Sequence, residues 1–154
     1  MTIDPSTINT DSATCLETID GNGTATNQSS YLSDTINLTG NIDLESGSTL
    51  YPWIPLGTSS SAAFIGTFNG NGHVVSGYTI GTSSNNYSGN DVGFIGDLGP
   101  HGVVKNLGVS GTIYATNGNC VGGIVGDNHT GIVETSYNTG GISGSSHVGG
   151  GRRV

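Results

Sequence analysis

Val121-Gly122-Gly123-Ile124-Val125-Gly126-Asp127-Asn128-His129-Thr130-Gly131-Ile132-Val133 is a short apolar run, a glycine-rich corner and a second short apolar run. The phrase stands earlier as Val92-Gly93-Phe94-Ile95-Gly96-Asp97, then Gly102-Val103-Val104. It stands earlier still as Ala63-Phe64-Ile65-Gly66-Thr67, then Gly72-His73-Val74-Val75. Gly66, Gly96 and Gly126 lie 30 residues apart, and Val74, Val103 and Ile132 lie 29 apart. A fourth copy opens at His147-Val148-Gly149-Gly150. A repeat of this length in a chain of 154 residues is the mark of stacked supersecondary units. No single copy holds enough apolar residues for a core, so neighbouring copies must cover one another.

Working outward, Thr35-Ile36-Asn37-Leu38 and Asn41-Ile42-Asp43-Leu44 alternate polar and apolar residues, the period of a half-buried strand. Tyr51-Pro52-Trp53-Ile54-Pro55-Leu56-Gly57 sets two prolines around the only tryptophan. Proline cannot donate to a ladder, so this segment predicts an aromatic plug on a cap or a corner. Asn69-Gly70-Asn71-Gly72 predicts a tight turn. Residues 81–90 and 114–119 read as loops between repeats. Ala13 to Ile19 predicts one or two helical turns, with Asp11 or Ser12 as N-cap and Gly21-Asn22-Gly23 as the stop.

These readings predict an all-β chain, a parallel β-helix (β-solenoid) of about four to five rungs. An N-terminal cap or leader occupies residues 1–34 and the repeats occupy 35–154, in one domain. In the predicted stack Phe64 lies on Phe94 and on Gly123 or Ile124, Val74 on Val103 and Ile132, and Tyr78 on Leu107. Nothing in the residues after Ile142 resembles a cap, and the Arg152-Arg153 tail faces an otherwise acidic body. The chain therefore reads as a piece of a longer protein or of an assembly, with end-to-end association as one expectation.

Composition narrows the functional classes. Charged residues are 9% of the chain, the net charge is −8, and only Lys105, Arg152 and Arg153 are basic. Nucleic-acid binding requires a basic footprint, which is missing here. No apolar run reaches the length of a membrane-spanning helix, and Met1-Thr2-Ile3-Asp4-Pro5 has neither the basic nor the apolar region of a signal peptide. Cys15 and Cys120 are separated by several repeats and read as free thiols.

Asp97 and Asp127 fall at equivalent positions of successive repeats. Stacked carboxylates are candidates for calcium, or for the acid pair of a polysaccharide-degrading β-helix, which also wants a third group and a basic partner where only Lys105 is available; the placement of Asp91, Asp97 and Asp127 discriminates. The more ordinary expectation is that each aspartate bonds its own turn. His73, His101 and His129 are spaced near one repeat, without a paired-ligand motif, and read as turn or surface residues. Asn22, Asn27, Asn37, Asn86 and Asn128 begin Asn-x-Ser/Thr triplets, which matter only in a host that glycosylates surface proteins.

Cys120 to Gly144 resembles the GLUG motif. Phe68 to Ile80 resembles the unit that precedes it, as do Asn41-Ile42-Asp43-Leu44 and Trp53-Ile54-Pro55-Leu56-Gly57. Thr135-Ser136-Tyr137 departs from the pattern, which often has Asn-Cys-Tyr there. Such repeats occur in large secreted or wall-attached bacterial proteins, including non-catalytic regions of immunoglobulin A protease-like and adhesin-like proteins. The resemblance implies a β-solenoid and an extracellular location, and no reaction.

The expected function is a non-catalytic stalk or adhesive surface, with no cofactor. The alternatives are a self-assembling filament subunit and a polysaccharide-binding or polysaccharide-degrading β-helix. The expected partners are protein segments or copies of the chain stacked at the ends, and carbohydrate, but not nucleic acid or the membrane interior.

Overall fold

The computed structural model describes residues 6–145 and 147–149. Arg152 and Arg153, on which the expected charge polarity rests, lie outside them. The strands run in chain order as β1 (Thr7–Thr10), β2 (Thr35–Leu38), β3 (Ile42–Asp43), β4 (Tyr51–Pro52), β5 (Thr67–Asn69) and β6 (Val74–Ile80). They continue as β7 (Asp91–Val92), β8 (Ile95–Leu98), β9 (Val103–Lys105), β10 (Gly108–Ala115), β11 (Cys120–Gly122) and β12 (Val125–Asn128). The last are β13 (Ile132–Glu134), β14 (Tyr137–Asn138), β15 (Ile142–Gly144) and β16 (Val148–Gly149). Among the described residues one helix, α1 (Ala13–Ile19), and two 3₁₀ turns, Ala25–Ser30 and Ser60–Ala62, complete the elements.

The chain is all-β in substance, and its named strands pair in parallel. One sheet runs β1-β2-β5-β9-β13 and a second runs β14-β10-β6-β3, with β15 also on β10 and β4 also on β6. A third runs β16-β11-β7, and β12 pairs with β8. Each strand pairs with its counterpart about one repeat away. Inward side chains therefore form columns: Ile8 on Ile36, Phe68, Val104 and Val133. Ile80, Ile113 and Ile142 make a second column, and Val92, Val121 and Val148 a third. The members Ile36, Phe68, Val104, Ile80 and Val92 are wholly buried. Strands of two to eight residues cannot stand alone. Burial of these columns, at about 25 cal/mol per Å² of apolar surface, holds them together.

The expected registers hold for the second and third copies. Gly96 and Gly126 face one another between the Val125–Ile95 and Asp127–Asp97 pairs, and Val103 faces Ile132. The first copy is shifted. Phe64 bridges to Leu98, not Phe94, and Leu56 bridges to Ile95, so Gly57 takes the place expected of Gly66. Val74 faces Gly108, and Thr67 is the residue that faces Val103. The physical reason is an excursion at residues 58–63, around the Ser60–Ala62 turn, which delays the phrase without breaking the ladder. Tyr78 does not pair with Leu107. In β6, Gly77 and Tyr78 stand against Gly111 alone, between the Ser76–Ser110 and Thr79–Thr112 pairs. Gly77 adopts φ +78° there, a region that side chains other than glycine's rarely enter.

Trp53 is an interior residue, not a plug over an end. It is 2% exposed, its ring stacks on Phe94 at 4.4 Å, and its Nε1–H donates to the Phe94 carbonyl at 2.9 Å. Phe68 and Tyr78 also pack against Phe94, at 5.3 and 5.6 Å between ring centres. Tyr51 and Pro52 pair with Tyr78 and Thr79. Trp53 is thus carried inward just beyond the proline.

Residues 1–34 hold more than a cap, because β1 adds a strand to the first sheet through the Ile8–Ile36 register. The helix follows the sequence reading, with Ser12 Oγ accepting from Cys15 N. Seven residues make too short a helix to persist alone. Leu16 and Ile19, three apart on one face, bury it. Asp20, fully buried at its C-terminal end, accepts from Ile54 N at 3.0 Å and from Gln28 Nε2 at 3.2 Å. Gln28 also donates to the Ile54 and Pro55 carbonyls and accepts from Gly57 N. This polar knot ties the helical segment to the tryptophan loop.

Candidate functional site

Asp97 and Asp127 face each other in register across β8 and β12. Residues two apart on an extended chain point the same way, so His129, just beyond β12, joins Asp127. Its Nε2 lies 3.1 Å from Asp127 Oδ2 and 3.4 Å from Asp97 Oδ2. On the other side of Asp127, Asp91 and Cys120 pair across β7 and β11. The donor atoms of Asp91, Cys120 and Asp127 lie within 4.8 Å of one another, as do those of Asp97, Asp127 and His129.

Asp97 is unlike its neighbours. Its side chain is 1% exposed, against 35% for Asp127 and 47% for His129. Its backbone is satisfied by Phe64 N on its carbonyl and by donation of its N–H to Gly57 O. Neither carboxylate oxygen has a hydrogen-bond partner among the described residues. His129 Nε2 approaches at 3.4 Å, too long for a strong hydrogen bond. Burial pushes the Asp97 carboxyl above the usual carboxylate range; His129 pulls it back, and Asp91 and Asp127 add to the rise. Asp91 is raised by burial and by Asp127. The Cys120 thiol is raised by burial, then by the three carboxylates. Like charges on adjacent strands repel, and at Asp97 this repulsion by Asp91 and Asp127 opposes the pull of His129.

Among the described residues neither Asp97 nor Asp127 bonds its own turn. Asn128 makes that turn instead, its Oδ1 accepting from Gly131 N at 2.8 Å, because the neighbouring Asp127 points to the opposite side. His73 lies elsewhere, at the entrance to β6, where its carbonyl accepts from Gly108 N. His101 sits in the turn after β8 with φ +70°. The triplet Asp127-Asn128-His129 was the available signal for the histidine. Cys120 had none, since its approach depends on the β7–β11 register. A shallow groove of about 690 Å³ lies apart from this corner, lined by Asn71, Asn106, Thr135, Ser136 and Tyr137.

Comparison with known proteins gives two similar sequences. The chain is 32% identical over 96 residues to Halomucin of Haloquadratum walsbyi, covering 62% of this chain and 1% of that protein. It is 32% identical over 84 residues to a "Putative Gly-rich membrane protein" of Evansella cellulosilytica, covering 53% of this chain and 9% of that one. The chain thus spans a small part of the length of each. No family model and no solved structure matches it. No helix among the described residues is long and apolar enough to cross a membrane.

Proposed function

We propose that this chain is a segment of a parallel β-helix with GLUG-type repeats. On this reading it serves a larger bacterial surface or secreted protein as a non-catalytic stalk or adhesive module. The observation that carries the reading is the column Ile8–Ile36–Phe68–Val104–Val133. It is one inward position kept in parallel register through five strands. Such a coil grows by repetition, and each added turn covers the last. The small share of the similar proteins that the chain spans fits a repeated segment within a long polypeptide. Ile132, Tyr137 and Val148, on the last strands described, are 54%, 47% and 45% exposed. A following repeat would cover them, and a second copy of the chain is the alternative that end-to-end association calls for.

Duplication of residues 91–119 in frame tests the coil. The lengthened chain should fold, keep its β spectrum and extend by about 4.8 Å per added turn in small-angle scattering. A chain that unfolds or stays the same length would refute the coil. Antibody labelling of intact source cells tests the location, and labelling seen only after lysis would refute it.

A further inference from the structure

We propose that Asp97, Asp127 and His129 form a binding site for one divalent transition-metal ion of the zinc class, which clips β8 to β12. Three observations support it. Two carboxylates and an imidazole converge within 4.8 Å. The Asp97 carboxylate, sealed from water, has two oxygens without hydrogen bonds and faces this group. Buried carboxylates are ordinarily paired or bound to metal. The spacing also fits. Donors about 2.0–2.2 Å from zinc stand about 3.3 Å apart in a tetrahedral shell, and His129 Nε2 lies 3.1 and 3.4 Å from the two carboxylate oxygens.

The donor set selects the metal. Calcium takes six to eight oxygen ligands, and an imidazole offers it nothing. Zinc accepts nitrogen and oxygen together, and three protein ligands leave a fourth position for water. Asp97 is held rigidly inside, while Asp127 and His129 are half-exposed and give the ion a path in from solvent. The ion would replace a repulsion between stacked carboxylates with a shared attraction, so its role is structural. Asp91 and Cys120 lie beyond Asp127 and are not ligands in this assignment.

The test uses the whole chain, stripped with a chelator and titrated with zinc against a chromophoric competitor. One equivalent should bind, and the melting temperature should rise with zinc concentration. Asp127→Asn and His129→Gln alter half-exposed residues, so both variants should fold. Each should weaken binding by roughly tenfold or more. Cys120→Ser should keep it within about threefold. Cobalt in place of zinc reports the ligands directly, since a thiolate-to-cobalt charge-transfer band appears only if a cysteine binds, and its loss in Cys120→Ser would assign it to that residue and not to Cys15. Any of four results would overturn the proposal: no zinc binding by the folded chain, unchanged affinity in His129→Gln, a thiolate band, or calcium bound more tightly than zinc.

Discussion

Asp20 predicts an unusual pH profile of stability. The carboxyl is fully buried, and burial pushes its pKa from 3.8 up to about 8, outweighing the interactions with Ile54, Gln28 and Tyr51 that favour the charged form. The Tyr51 hydroxyl lies against Asp20 and is pushed up by burial, then by the charges of Asp20 and Glu17 and by its interaction with the Asp20 carboxylate. Below about pH 4 the group carries its proton in both folded and unfolded chains, and its contribution is complete. Between pH 4 and pH 8 the unfolded chain has lost the proton and the folded chain keeps it. The unfolded state then binds fewer protons, so stability falls by about 1.4 kcal/mol per pH unit. The loss levels off above pH 8, at a total on the order of 5 kcal/mol.

Between pH 5 and pH 7 the decline is about 3 kcal/mol, which lowers the urea midpoint by about 1 M for a chain of this size. Asp20→Asn cannot ionise and should flatten the profile by that amount, whatever constant cost its amide brings beside Gln28. Asp91 and Asp97 shift in the same direction and remain in the variant, so the difference between the two profiles isolates Asp20. The measurement is urea unfolding at pH 5, 6, 7 and 8 with chelator present. Parallel profiles for the two proteins would show that the hydrogen bonds, not burial, govern this carboxyl.

Other expectations concern packing. Gly126→Val should cost about 1–3 kcal/mol by overpacking, because a Cβ there meets Val92 N at 2.5 Å and Gly96 O at 2.7 Å. Gly96→Val should do the same against the Asp91 carbonyl and the Pro55 ring, both at 2.8 Å. Unchanged urea midpoints would show that these strands have slack. Trp53→Phe keeps the stack on Phe94 and loses one hydrogen bond, costing about 1 kcal/mol, since Leu56 N still donates to that carbonyl. Trp53→Ala should cost about 3–5 kcal/mol in the same assay, and equal costs would contradict the stacking. Cys15 and Cys120 are free, so a thiol reagent should titrate both on unfolding, and reductant should leave the melting temperature unchanged.

The sequence by itself determined the kind of structure. Polar–apolar alternation and a glycine phrase at constant spacing specify short strands that must be covered by neighbouring copies. The second and third copies are equal in length, so Val103 on Ile132 and Asp97 on Asp127 could be paired by counting. The helix at Ala13–Ile19 was readable from Ser12 and the spacing of Leu16 and Ile19. Counting failed for the first copy, because the turn at Ser60–Ala62 consumes chain without advancing the ladder, and only pairing shows where the chain re-enters. It failed for Trp53 because proline forbids a donor, not an interior position, and the stack on Phe94 is a contact across distant segments. β1 was missed because four residues carry too little pattern until Ile8 is seen on Ile36. At the acidic corner the sequence supplied the two aspartates. The burial that strips Asp97 of water and the path that returns His129 to it are properties of the packed chain, since both depend on strands brought together from a full repeat away.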